Sequence, residues 1–250
     1  MMRLLKLSIL LLLVSNGFTS SESAHLLEKG NSEIGLFQPL RWGYSENIEF
    51  STHPISMFTM PNFSVKIRHE KYGITSRHRF VYPTPLMRIF QKKGKFGLIT
   101  PVVDVGEVPH IFAFQNEIFK SISLDKTLLT FKGGFSFALG LLYEEKLDER
   151  LSVDLPIIYP AMGAFFNGYK FNFGVDARHH FSDKFSVLLD GDAVIIPTED
   201  IFWESKLLGE YQLNDKWEIL LGTKFTYGNY PFGTQTRLLP LIDITYRWTK

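Results

Sequence analysis

The stretch "FNFGVDARHHFSDKFSVLLDGD" (Phe171–Asp192) decides how the chain is to be read. Phe171, Phe173, Val175 and Ala177 fall on alternate positions, with Asn172, Asp176 and Arg178 between them. A short polar run, Ser182-Asp183-Lys184, follows Phe181. Phe185, Val187 and Leu189 then resume the alternation against Ser186, Asp190 and Asp192. Successive side chains of an extended strand point to opposite faces, so this period means β-structure with one apolar and one polar face. Two such runs around a short polar turn make a hairpin.

The pattern continues outward. "WEILLGTKFTYG" (Trp217–Gly228) sets Trp217, Ile219, Leu221, Phe225 and Tyr227 against Glu218, Lys224 and Thr226; "LIDITYRW" (Leu241–Trp248) sets Ile242, Ile244, Tyr246 and Trp248 against Asp243, Thr245 and Arg247. Such runs exceed the usual strand of about 5–6 residues and match the roughly 9–11 that a tilted strand needs to cross a bilayer. The turn itself recurs: "LDERLSV" (Leu147–Val153), "FSDKFSV" (Phe181–Val187) and "LNDKWEI" (Leu213–Ile219) align residue for residue. "FQKKGKFGL" (Phe90–Leu98) reads as an earlier copy. Each copy is expected to mark the short-turn end of a hairpin. Longer Pro- and aromatic-rich connections, "PIIYPAMGAFFNG" (Pro156–Gly168), "IPTEDIF" (Ile196–Phe202) and "GNYPFGTQ" (Gly228–Gln235), are expected at the other end. In the first half, strand-like runs are interrupted by Pro39, Pro54, Pro61, Pro83, Pro85, Pro101 and Pro109, which belong at strand ends, bulges or loops. The chain reads as all-β, with about 10–12 strands in one domain over 25–250.

Composition narrows the classes of function. The 250 residues are 45% hydrophobic and 15% aromatic with a net charge of +1, which argues against a nucleic-acid partner. There is no cysteine, so disulfides, thiolate catalysis and thiolate metal sites are excluded. Arg3 and Lys6 precede the apolar "LSILLLLVSNGF" and the small polar "TSSESA", the order of a cleaved signal peptide over 1–24.

Alternation alone does not say which face is inside. The polar face collects Glu49, Lys66, Arg68, Arg77, Arg79, Lys132, Asp154, Lys170, Asp176, Arg178, Asp190, Glu204, Lys206, Glu210, Glu218, Lys224, Asp243 and Arg247. The apolar face carries large rings near strand ends, among them Tyr169, Phe185, Trp203, Tyr211, Trp217, Tyr246 and Trp248. A small soluble barrel has little room for so many rings, whereas aromatic girdles flank the apolar band of a membrane barrel. With its signal peptide, its turn repeats and the C-terminal strand "LLPLIDITYRW", the chain resembles the bacterial outer-membrane β-barrel proteins. Trp248 is followed by Thr249 and Lys250 rather than ending the chain, which departs from that class. The resemblance implies an antiparallel transmembrane barrel in the outer membrane, with outer-membrane lipid or lipopolysaccharide around it and the barrel-assembly machinery as partner in biogenesis. The charged residues above would then line the lumen. A soluble secreted lipid-binding barrel, with the faces reversed, is the alternative architecture.

Three features bear on chemistry. The seven His show no zincin spacing, and neither metal nor cofactor is expected. In "GITSRHRFVY" (Gly73–Tyr82), Ser76 and His78 share a face with Phe80 and Tyr82, while Arg77 and Arg79 take the other. A serine nucleophile needs a His in hydrogen-bond reach and a third group to orient it; Glu117 or Glu70 could supply that group. This pair is the basis of the alternative function, a lipid-modifying hydrolase. Tyr-Pro recurs at Tyr82, Tyr159 and Tyr230, the last beside Phe232, and suggests a ligand-presenting loop rim. The leading expectation is a structural, binding or small-solute passage role, since a barrel this narrow pairs its lumenal charges and leaves no wide pore.

Overall fold

The long alternating runs become the tall wall of a barrel. The computed structural model describes residues 23–91, 108–141, 159–197, 201–230 and 233–249. Twelve strands among them form one closed antiparallel sheet. β1 (Asn31–Gly35), β2 (Leu40–Ser45), β3 (Ile48–Thr52), β4 (Asn62–His69) and β5 (Ile74–Val81) are short. β6 (His110–Leu124), β7 (Thr127–Leu141), β8 (Tyr169–Ser182), β9 (Phe185–Ile195), β10 (Ile201–Gln212), β11 (Trp217–Tyr230) and β12 (Gly233–Thr249) are 11 to 17 residues long. Among the described residues three α-helices lie in the connections: α1 (Pro54–Met57), α2 (Thr84–Gln91) and α3 (Tyr159–Asn167). β1 pairs with β12 from Asn31↔Thr249 to Gly35↔Thr245, which closes the ring.

Height follows the prolines. Pro39, Pro61 and Pro109 each stand just before a strand, and Pro54 takes the first turn of α1, where its missing N–H costs nothing. Pro240 sits inside β12 opposite Thr223 of β11. The sheet tolerates it because β1 ends opposite Thr245, leaving the other side of Pro240 without a ladder partner.

Three of the short turns between described strands are chemically alike. Asp125-Lys126, Asp183-Lys184 and Asp215-Lys216 join β6 to β7, β8 to β9 and β10 to β11. Ser182 Oγ accepts from the Phe185 N–H at 3.1 Å, and Asn214 Oδ1 accepts from the Lys216 and Trp217 N–H groups at 2.9 and 3.1 Å. Asp125 takes a left-handed φ of 50°, which a two-residue hairpin turn requires and Asp tolerates. Asp125-Lys126 thus joins the copies at Phe181 and Leu213 as a turn of the same kind. Leu147–Val153 falls between β7 and α3, outside the described residues, as do most of Phe90–Leu98 and residues 1–22 of the expected signal peptide.

The faces are assigned by burial. Leu189, Leu207, Leu221, Leu238 and Ile242 point outward and are more than half exposed, whereas Lys66, Lys132, Asp176, Asp190, Lys206, Lys224 and Asp243 are buried inside. Charge is inside and hydrocarbon outside, the reverse of a soluble lipid carrier and the arrangement of a barrel surrounded by lipid.

Candidate functional site

Described from the long-loop mouth to the short-turn mouth, the barrel interior is layered. At the long-loop mouth, α2 and α3 turn inward. Leu86, Met87, Tyr159, Met162 and Phe166 pack on Ile111, Val194, Phe202 and Tyr230 from the strands and on Ile196 just after β9. Tyr159 is fully buried and makes ring contacts with Phe166, Phe202 and Tyr230. Lys170 Nζ donates to the carbonyl oxygens of Pro160 and Ala161 at 2.7 and 3.2 Å, tying α3 to the wall. Tyr159 and Tyr230 thus form an apolar plug rather than a projecting rim. Tyr82 stacks outside on His110 and Phe112, and Phe232 lies outside the described residues.

Beneath the plug lies a charge network. Lys132 Nζ stands 2.7 Å from Asp176, 3.0 Å from Asp190 and 2.7 Å from Asp192; Lys206 reaches Asp190 at 3.0 Å and Lys224 reaches Glu204 at 2.8 Å. Gly174 makes room for this packing, because a Cβ there would meet the Asp192 carboxylate, Lys132 Cε and the Gly191 carbonyl. On the other wall Arg77 binds Glu117, and Arg77 and Lys66 lie over the buried ring of Phe119 at 5.0 and 5.5 Å. Arg79 shares the inner face of β5 with Arg77. Asp243 Oδ1 accepts from the Leu36 and Phe37 N–H groups at 2.8 and 3.1 Å, holding the β1–β2 connection to β12. A layer of inward leucines follows, Leu188, Leu208, Leu220 and Leu241, each almost fully buried.

The short-turn mouth holds a second network. Glu33 pairs with Arg41 at 3.1 Å and Arg247 at 2.7 Å, bracing the β12–β1–β2 seam. Arg41 also binds Glu49, Arg247 binds Glu218, and Arg178 binds Glu210. All of these groups except Glu49 line a cavity of about 440 Å³ that Leu220 floors. Asp154 lies outside the described residues.

Residues 23–30, of which Ser23 and Ala24 fall within the 1–24 expected as signal peptide, complete this mouth from within. They cross the inner wall of β2 to β6 as a strap held mainly by side chains. Ala24 N–H donates to Ser121 Oγ at 3.0 Å, Thr75 Oγ1 donates to the Ala24 carbonyl at 2.7 Å, and Leu27 N–H donates to Glu49 at 2.7 Å. Lys66 Nζ donates to the Ser23 and His25 carbonyls at 2.5 and 2.9 Å. Gly43 allows the close approach, since a Cβ there would run into the Leu27 and Glu28 carbonyls. His25 faces the cavity. Partial burial first, then the cations Arg68, Lys66 and Arg178, hold its pKa below the usual histidine value. Nothing in the period of residues 23–30 signals the strap, because its contacts come from five different strands.

On the outer wall, Ser76 and His78 are brought together: Ser76 Oγ is 3.1 Å from His78 Nε2. Glu117 does not join them, because register pairs it with Arg77 on the inner face. The residue opposite His78 is Asn116, whose Oδ1 is 2.8 Å from His78 Nδ1. His69 Nε2 also stands 2.8 Å from Ser76 Oγ. Glu70 lies in the 3₁₀ turn after β4.

No protein-family model and no curated protein sequence matches the chain. Solved structures do. An outer-membrane channel from Pseudomonas putida F1 superposes with a TM-score of 0.54 at 7% identity, over 92% of this chain and 100% of that one. This is an outer-membrane β-barrel fold. A bacterial polysaccharide outer-membrane secretin gives 0.46 at 10% identity, over 87% and 69% of the two chains. The channel DcaP of Acinetobacter baumannii gives 0.39 at 6% identity, over 94% and 69%. At such identities the likeness is one of fold.

Proposed function

We propose that the protein is an outer-membrane barrel that passes a small polar solute when two closures of its lumen move. The observation that carries this reading is the chemistry of the closures. Neither is a strand of the sheet: the helical plug packs through side chains, and the strap is held largely by side-chain bonds to its backbone, with one backbone bridge to β2 at Lys29↔Gly43. Such elements open without disturbing the ladder that makes the wall. Between strap and leucine layer, the cavity presents Arg41, Arg178 and Arg247 beside Glu33, Glu210 and Glu218. That mixture suits a small zwitterion or a hydrated ion better than an apolar solute. The resemblance in fold to an outer-membrane channel supports the same role.

Planar-bilayer recording tests it. The full chain is expected to show rare, short openings, and deletion of residues 23–29 to make openings longer and more frequent. Adding Tyr159→Ala is expected to raise the unit conductance. A folded, membrane-inserted double variant that gives no conductance steps would overturn the proposal.

A further inference from the structure

The lipid-facing wall carries a polar cluster of four side chains on β4, β5 and β6. Around it, Val65 and Ile67 of β4, Phe80 of β5 and Phe114 and Ile118 of β6 point outward. Among them stand His69, Ser76, His78 and Asn116, joined in one chain of hydrogen bonds. With the Asn116 oxygen toward the ring, the His78 proton must sit on Nδ1, because that oxygen only accepts. His78 Nε2 is then bare and accepts from the Ser76 hydroxyl, while His69 Nε2–H donates to Ser76 Oγ. Each donor meets one acceptor, and the serine proton is left facing a base. A serine, a histidine in reach of its oxygen and a polar group fixing the far ring nitrogen are the parts of a nucleophilic site. Ionisable groups facing a bilayer are costly, which makes them a functional-site hypothesis by default.

We propose that Ser76, His78 and Asn116 form a lipid-ester hydrolase site on the outer wall, acting on glycerophospholipid. The site rests on the barrel lying in a bilayer but not on any conduction through its lumen. Position selects the substrate. Ser76 lies two residues into β5 from its short-turn end, the end where Trp217, Tyr246 and Trp248 stack as an interfacial belt does. His78, exposed beside the largely buried Ser76, there meets molecules that diffuse within the membrane, and lipid ester carbonyls lie near that interface. Ser76 Oγ bonds to the acyl carbonyl carbon as its proton passes to His78 Nε2. The carbon–oxygen bond to glycerol then breaks, and His78 returns the proton to the departing glycerol oxygen. Water attacks the acyl-serine, giving one proton to His78 and then to Ser76 Oγ, and fatty acid leaves. One ester and one water thus become a lysophospholipid and a fatty acid. Asn116 is a positioning residue that holds the ring and its tautomer. His69 positions the serine oxygen.

The test uses the purified full chain in phosphatidylethanolamine–phosphatidylglycerol vesicles, with fatty-acid release as readout. A fluorophosphonate reagent followed by peptide mass spectrometry locates the nucleophile. Heat-modifiable migration confirms a folded barrel in every sample. Wild type is expected to release fatty acid and carry the phosphonate on Ser76. Ser76→Ala should lose the label and about a thousandfold or more of the rate, and His78→Ala should behave alike. Asn116→Leu should lower kcat with KM little changed, and Asn116→Asp should restore much of it, a rescue that a merely structural polar contact would not give. Folded wild type with neither fatty-acid release nor label at Ser76 would overturn the proposal, as would Ser76→Ala hydrolysing at the wild-type rate. Loss of conductance in the separate bilayer recordings would leave it standing.

Discussion

Replacing Lys132 by Met tests the charge network that fills the middle of the barrel. Lys132 is buried and its ammonium is shared by Asp176, Asp190 and Asp192. Asp176 and Asp190 are direct cross-strand partners on the inner face of β8 and β9. Cross-strand neighbours stand about 5 Å apart. Two carboxylates at that distance repel by about 3 kcal/mol at an effective dielectric of about 20. Breaking a buried ion pair by removing one partner costs about 3–5 kcal/mol in other proteins, which agrees. Lys206 still reaches Asp190 at 3.0 Å and offsets part of the loss. The expected outcome is a loss of about 3 kcal/mol, read by urea unfolding in phospholipid vesicles with tryptophan fluorescence. Adding Asp176→Asn to Lys132→Met removes one of the repelling charges and should recover at least half. A Lys132→Met barrel within 1 kcal/mol of wild type would refute the reasoning, because these carboxylates would then be adequately solvated without their cation.

Gly174→Ala should cost about 1–3 kcal/mol, measured the same way, because its Cβ overlaps Asp192, Lys132 and the Gly191 carbonyl. Tyr159→Ala should cost about 3 kcal/mol or more through the cavity left in the helical plug; unfolding at the wild-type urea midpoint would count against a packed plug. Acidification should loosen the strap. His25 is held below its ordinary pKa when seated, so the released strap binds more protons; seating is complete above the ordinary value of 6.5 and weakens as pH falls below it. The check is open probability in planar bilayers between pH 7.5 and 5, and His25→Gln should flatten that profile.

Much of the wall was legible because period two is a local property. Trp217 to Tyr227 and Ile242 to Trp248 alternate cleanly, and the structure places those rings outside. What failed depended on register or on distant contacts. The motif at Phe181 and Leu213 marks two of the short turns but passes over Asp125-Lys126, because Thr127 stands where those two have an aromatic; the Leu147 copy lies outside the described residues. Glu117 was a reasonable orienter by charge, but neighbours on a strand face opposite ways, and register decided for Asn116. "PIIYPAMGAFFNG" has the Pro and Gly of a loop, yet Tyr159–Asn167 forms a helix because the barrel mouth offers apolar partners on Ile111, Val194 and Phe202. The strap was invisible for the same reason, since its binding groups are scattered over Glu49, Lys66, Thr75 and Ser121.

Period two also assigns every residue an expected polarity, so residues of the wrong polarity need a reason. Leu188, Leu208, Leu220 and Leu241 sit on the polar inner face, and their reason is each other: four inward leucines bury their surface together. Phe119 is also inside, and Lys66 and Arg77 cover its ring. The outer wall poses the opposite case. Ser76, His78 and Asn116 stand where Val65, Ile67 and Ile118 show that aliphatic side chains fit, so packing does not require them. Their hydrogen bonds satisfy one another and lower the cost of placing them there, but valine or leucine would have avoided that cost altogether. A local rule broken without a gain in stability is the pattern of a working site. The inner exceptions are explained by what they touch within the barrel. The outer one is what the proposed site accounts for, with a substrate that approaches it from the membrane.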